Sequence, residues 1–174
     1  MKETAVLGGG CFWCTEGVFQ ALKGVESVVP GYCGGHVDEP TYEQVCGKQT
    51  GHIEVVRVEF DPDIISFHDL LQVFFLTHDP TTQDRQGADV GPQYASAIFC
   101  QNDAQRRTAF EVIEELQHEF AQPIVTHVLD SSTFWPAETY HHDYFARNPN
   151  QGYCQMVIAP KLYKFRQRFQ ELIA

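Results

Sequence analysis

The 174-residue sequence predicts an α+β fold, a ferredoxin-like split βαβ two-layer sandwich with a mixed sheet, extended by an extra helix and strand and a C-terminal tail. Apolar runs of strand length and segments of helical period follow one another as strand, helix, strand, strand, helix, strand, the order of the split βαβ unit. Hydrophobic residues make up 43% of the chain, enough at this length to bury one core without disulfide or metal staples. No internal repeat, low-complexity tract or Pro/Ser linker marks a boundary, so residues 1–174 read as a single domain.

The elements follow in order. Thr4 to Leu7 reads as a buried strand running into Gly8-Gly9-Gly10, and Phe12 to Leu22 as a helix with Val18, Phe19 and Leu22 on one face, ended by Lys23-Gly24. Val25 to Tyr32 reads as a second strand. Cys33-Gly34-Gly35-His36 then opens a long polar loop to about Gly51, which carries Tyr42 and Cys46. His52 to Phe60 alternates as a third strand and stops at Asp61-Pro62. Ser66 caps a helix through Phe67, Leu70, Leu71, Phe74 and Phe75. Thr81 to Gln93 is a loop long enough to suggest function. Tyr94 to Cys100 is a fourth strand, and Asn102 caps a long helix whose buried stripe is predicted as Phe110, Ile113, Leu116 and Phe120. After Pro123 a fifth strand spans Ile124 to Leu129. Phe134 to Glu138 leads into a short helix holding His141, His142 and Tyr144, Asn148 to Gly152 turns, and Leu162 to Ile173 forms a terminal helix.

The formal charge of −11 and pI near 5.0 argue against nucleic acid, which requires basic patches. The start of the chain lacks a signal-peptide apolar region, and no run is long enough to span a membrane. A monomeric cytoplasmic protein is expected. The six cysteines are read as reduced thiols, because a chain able to build its own core does not need a disulfide framework.

Chemistry is expected first at Gly8 through Cys14. A thiol at a helix start meets unpaired amides and the positive end of the helix dipole, which predicts a reactive, thiolate-forming Cys11. Phe12 and Trp13 offer an apolar wall suited to a substrate methyl group, or serve the core. Glu54 shares a strand face with Val56 and Val58. There a carboxyl is either a general acid of raised pKa or a solvated edge charge. Tyr42, Asp89 and Tyr94 are polar residues of the kind that orient substrates. Only Cys11 and Cys14 form a C-x-x-C pair, short of the two pairs a structural zinc site needs. Adjacent His141 and His142 point apart on a helix, so with His52 they make no metal site, and none is expected.

Gly10-Cys11-Phe12-Trp13, Gly31-Tyr32 with Gly34-Gly35, Thr41-Tyr42, Thr50-Gly51-His52-Ile53-Glu54, His78-Asp79-Pro80-Thr81-Thr82, Asp84-Arg85-Gln86-Gly87 and Gly152-Tyr153-Cys154 together resemble the peptide methionine sulfoxide reductase A family, from about Ala5 to about Phe169. The resemblance implies reduction of the S-epimer of methionine sulfoxide, free or in peptides and proteins. Cys11 would attack the sulfur, and Glu54, helped by Tyr42 and Tyr94, would protonate the oxygen. Phe12 and Trp13 would hold the ε-methyl group, with Asp89 and His141 lining the pocket. It further implies a sulfenic acid on Cys11, resolved by Cys154 to a disulfide that thioredoxin, or dithiothreitol in vitro, reopens. No bound cofactor is implied. Position 14 is commonly Gly in the family, and Cys14 here is a rival or partner to Cys154 as resolver. A general C-x-x-C dithiol oxidoreductase and a non-catalytic sulfoxide-peptide binding module are the alternatives.

Overall fold

The computed structural model describes residues 2–173 except Ala88 and Pro149, and the side chains except those of Phe145 and Cys154. Strands β1 (Glu3–Gly9), β2 (Val25–Cys33) and β3 (Ile53–Phe60) are joined by helix α1 (Phe12–Gln20) and by a segment holding helix α2 (Tyr42–Cys46). Helix α3 (Phe67–Leu76) follows, then the short hairpin of β4 (Arg85–Gln86) and β5 (Asp89–Val90), and β6 (Ser96–Cys100). Helix α4 (Asp103–Leu116), strands β7 (His127–Asp130) and β8 (Phe134–Pro136), and helices α5 (Tyr144–Arg147) and α6 (Ala159–Arg168) complete the order.

Six strands form one mixed sheet in the order β7-β6-β1-β3-β2-β8. β1 pairs antiparallel with β3 and β6, β2 pairs antiparallel with β3 and β8, and β7 alone runs parallel to its neighbour β6. Period-2 alternation divides the sheet into two faces. Ala5, Leu7, Tyr32, Val56, Val58, Phe60 and Ile98 meet the helices in the larger core, while Val6, Cys33, Ile53, Val55, Ala97 and Phe99 form a smaller cluster that Phe134 covers. Glu54 follows the same alternation onto the helix-covered face.

Side-chain caps explain three of the helix starts. Ser66 caps α3 and exchanges bonds with Asp69 in a capping box, and Asn102 accepts the Gln105 N–H at the start of α4. A second capping box, between Thr41 and Gln44, starts α2 inside the stretch expected to be loop. Five residues give no periodicity to read, so only the T-x-x-Q cap could have signalled it. The stripe predicted for α4 is rotated: Gln105, Ala109, Val112 and Leu116 are buried, whereas Phe110 is 54% exposed. Leu116 is common to both faces, and large aromatic residues drew the predicted stripe away from smaller Ala109 and Val112. The fifth strand begins at His127 rather than Ile124. His141 ends a 3₁₀ turn (Thr139–His141), separate from α5. The tail opens with a π-helical turn at Cys154–Ile158, and α6 ends at Arg168 instead of near Ile173.

One glycine fixes how β8 reaches the sheet. A Cβ on Gly31 would collide with the Trp135 carbonyl and the Phe134 ring, so β2 and β8 approach only because none is there. Gly31→Ala is expected to lower stability by about 1–3 kcal/mol, whereas Gly152→Ala, where a Cβ meets nothing within 4 Å, is expected to leave it unchanged. Thermal midpoints of the two variants against the parent check this.

Candidate active site

β1 delivers the chain to Gly10, whose φ of +94° lies where side chains are rarely accommodated. A Cβ there would also come within 2.5 Å of Gln86 Cγ. This turn sets Cys11 as the N-cap of α1, with no side-chain cap bond. The Cys14 N–H donates to the Cys11 carbonyl at 3.1 Å, so the two cysteines span the first helical turn. Their thiols lie close enough to shift each other's ionisation.

The sequence expectation that the helix start alone makes Cys11 a thiolate is corrected here. Burial, the neighbouring Cys14 thiol and the nearby Glu54 push the Cys11 thiol well above its ordinary value, against a smaller downward effect of the Trp13 amide. Removing the charged sulfur from water outweighs one helix-terminal amide. The neighbouring Cys11 thiol draws Cys14 below its ordinary value, with Lys161 adding to it against the opposing effect of burial.

Glu54 resolves the alternative left open by the sequence: it is 1% exposed. β3 lies between β1 and β2, and α1 covers that face, with Phe12 donating its N–H to Glu54 Oε1 at 3.2 Å. Oε2 is buried without a hydrogen-bond partner. Burial, with Asp89 and Cys14 adding to it against the Phe12 N–H, raises the carboxyl to about 8. At neutral pH Glu54 is therefore a neutral acid, with one oxygen committed to the helix start and the other unpartnered.

Aromatic rings surround this acid and thiol. Phe12 is buried, with ring centroids 5.2 Å from His141 and 6.3 Å from Tyr42. Trp13 donates its Nε1–H to His141 Nδ1 at 3.0 Å and stacks on Tyr144 at 3.8 Å and 6°, a contact worth ~0.5–1.5 kcal/mol beyond its buried area. His141 is buried, and burial lowers its pKa. With Nδ1 accepting from Trp13, the neutral ring carries its proton on Nε2, which has no partner. Tyr42 and Tyr94 are half-buried, and burial followed by the charge of Glu54 raises both above their ordinary values. Both remain hydroxyl donors. Tyr94 closes a 3₁₀ turn (Pro92–Tyr94) before β6, and Asp89 on β5 accepts from the Tyr153 hydroxyl at 2.6 Å.

The structure thus brings together Cys11, Phe12, Trp13, Cys14, Tyr42, Glu54, Asp89, Tyr94 and His141. The side chain of Cys154, the other expected resolver, lies outside the described residues. Sequence reading missed Glu138, Tyr144, Tyr153 and Glu16. Glu138 accepts the Tyr32 hydroxyl at 3.0 Å and the Tyr42 N–H at 2.9 Å, tying α2 to the sheet beside the pocket. Burial acts to raise its carboxyl, but these bonds hold it below the ordinary value. Glu138 and Tyr144 lie in segments without periodicity, Glu16 is a polar residue on an otherwise apolar-patterned helix, and Tyr153 stood only as a neighbour of Cys154, so none was marked as a site residue. His52 and His142 are structural: His52 Nδ1 accepts the Gly35 N–H at 3.0 Å, and His142 Nε2 donates to the Ala137 carbonyl at 3.0 Å.

A thiol pair at a helix start, a neutral buried acid and an aromatic pocket define a thiol-based reductase of a small polar group carried on an apolar moiety. The comparisons agree. The sequence model of peptide methionine sulfoxide reductase matches residues 3–173. Peptide methionine sulfoxide reductase MsrA of Thermus thermophilus is 56% identical over 172 residues, covering 99% of this chain and 98% of that protein. Among solved structures, methionine sulfoxide reductase A of Corynebacterium diphtheriae is similar with a TM-score of 0.82 and 33% identity, over 86% of this chain and 76% of that one. Mxr1 of Saccharomyces cerevisiae in reduced form has a TM-score of 0.81 and 32% identity, over 88% and 89%. The chain belongs to the peptide methionine sulfoxide reductase family, and is a thiol-dependent methionine sulfoxide reductase of the A type.

The raised Glu54 carboxyl has a consequence for stability. The folded chain keeps this proton up to about 8, while the unfolded chain releases it near 4.5. Between those values the unfolded state binds fewer protons, so stability falls as pH rises. Glu54→Gln is expected to remove this contribution and flatten the decline, as denaturant midpoints across the same pH window will show.

Proposed function

We propose that the chain reduces the S-epimer of methionine sulfoxide, as the free amino acid or in peptides and proteins, with Cys11 as nucleophile and Glu54 as general acid. The carrying observation is Glu54 Oε2, buried and unpartnered beside Cys11. Oxygen leaves sulfur only when protonated, and a neutral carboxylic acid in an apolar pocket supplies that proton without a metal. Phe12 and Trp13 hold the ε-methyl group. Asp89 and His141 line the remaining pocket, and the Tyr42 and Tyr94 hydroxyls stabilise the oxygen as it takes up charge.

The step balances within the site. Cys11 sulfur bonds to the sulfoxide sulfur as Glu54 protonates the oxygen, and the thiol proton of Cys11 restores Glu54. Transfer of the hydroxyl to Cys11 releases methionine and leaves a sulfenic acid. A second thiol attacks that sulfur, water leaves, and a disulfide forms. Cys154 and Cys14 are the two resolvers. Cys14 is supported by its place one helical turn from Cys11, with thiols that influence each other's ionisation, a spacing that suits a disulfide. A dithiol then reopens the bond by exchange. Thioredoxin is the proposed reductant, with dithiothreitol replacing it in vitro; the yeast relative Mxr1 has been solved in complex with Trx2.

We read the β6-β1-β3-β2 core as ferredoxin-like, supported by strand order and direction, and the chain as a monomeric single domain. Thiol chemistry of this kind suits a reducing compartment, and the cytoplasm is the proposed location. No helix among the described residues is long and apolar enough to cross a membrane.

Turnover of each epimer with dithiothreitol tests the reading. The S-epimer is expected to be consumed and the R-epimer left, with Cys11→Ser inactive and Glu54→Gln reduced about 100-fold in kcat/KM. The parent kcat/KM should fall as pH rises through about 8, where Glu54 loses its proton. Consumption of neither epimer contradicts the assignment. Peptide mapping after a single turnover without reductant identifies the resolver by whether Cys11 is joined to Cys154 or Cys14.

A further inference from the structure

Glu16 takes no part in the chemistry above, yet it is 2% exposed. Its Oε2 accepts the Asp143 N–H at 2.9 Å, and the carboxylate lies near the Tyr144 amide, which favours its charged form. Asp143 has φ of +54°, a left-handed conformation that Asp tolerates better than most non-glycine residues. Trp13, Glu16 and Gln20 stand at i, i+3 and i+7 on α1, one helix face, and all three engage the same short segment. Gln20 Nε2 donates to Asp143 Oδ1 at 2.6 Å, and Trp13 stacks on Tyr144 while donating to His141.

We propose that Glu16 is a positioning residue: by holding the backbone of Asp143 and Tyr144 on α1, it fixes the His141–Tyr144 wall of the pocket that receives the substrate methyl group. It touches no reacting atom and acts through Trp13, His141 and Tyr144. A carboxylate suits the task because both of its oxygens are acceptors, so it takes the Asp143 N–H and presents no donor to the nearby Tyr144 amide. A Gln side chain offers one oxygen and an NH2 group that opposes the second N–H. Burial raises the Glu16 carboxyl to about 7 against the favourable Asp143 and Tyr144 amides, showing that an acid is retained at an unfavourable depth. Loss of the latch widens the pocket for ground state and transition state alike, which raises KM and leaves kcat near its parent value.

The inference rests on the reductase reading, and its test has an arm that does not. In a Trp135→Phe background, Trp13 is the remaining tryptophan of the two in the chain, and its acrylamide quenching reports the Tyr144 stack. Glu16→Ala is expected to increase quenching and to raise KM for methionine sulfoxide about tenfold, with kcat held within about twofold. Glu16→Gln keeps one of the two acceptors and should fall between parent and Ala in both readouts, a partial rescue that also carries the test where the Ala variant does not fold. Unchanged quenching and KM, or a fall in kcat at constant KM, overturns the proposal. A parent without turnover contradicts the reductase reading alone, since quenching still measures the latch.

Discussion

The hydrogen bond from the Phe12 N–H to Glu54 Oε1 is the contact on which the site depends. It joins the first free amide of α1 to the start of β3, 42 residues away in sequence. One donor is too little to return to a buried carboxylate the hydration it has lost, so the group is stable there chiefly as a neutral acid. A second strong donor on Oε2 would lower the pKa and remove the proton. Glu54 is thus an incompletely satisfied buried acid, a local sacrifice of stability of the kind found at functional sites and the feature on which its proposed role as proton donor rests.

The rest of the architecture keeps that arrangement dry and in register. Tyr32 pairs with Glu54 across β2 and β3, and its hydroxyl reaches Glu138, which also accepts the Tyr42 N–H. Sheet, α2 and the segment after β8 are thus linked through one carboxylate. On the other side, Gln86 packs beside Gly10 and exchanges hydrogen bonds with the Asp79 backbone. The short β4-β5 hairpin is held there, and with it Asp89. Cys11 occupies the junction of these linkages, where burial holds it as a thiol.

Much of this was legible in the sequence because it follows from periodicity and turn chemistry. The main strands follow apolar alternation, and the Ser66 and Asn102 caps mark helix starts. Alternation also put Glu54 on the face of Val56 and Val58, although burial from α1, which decided between acid and surface charge, is a tertiary effect. The same effect overturned the expected thiolate: helix polarity is local and readable, whereas desolvation of Cys11 depends on residues distant in sequence. Phe110 misled because its size suggested a core role that Ala109 and Val112 fill. Glu16, Glu138, Tyr144 and Tyr153 were not legible as site residues, since each gains its role from partners distant in sequence. Functional motifs quoted for the family resemblance carried Cys154 into the account, and its side chain lies outside the described residues.

A direct titration of Glu54 tests the central claim. Carboxyl ¹³C resonances, assigned by their loss in Glu54→Gln, can be followed in the substrate-free protein from acid to alkaline pH. The account predicts that Glu54 remains protonated through neutrality and titrates near 8, as its burial beside Cys11 requires. An ordinary midpoint near 4.5 would show an ionised carboxylate at neutral pH, contradicting its role as the acid that releases the oxygen.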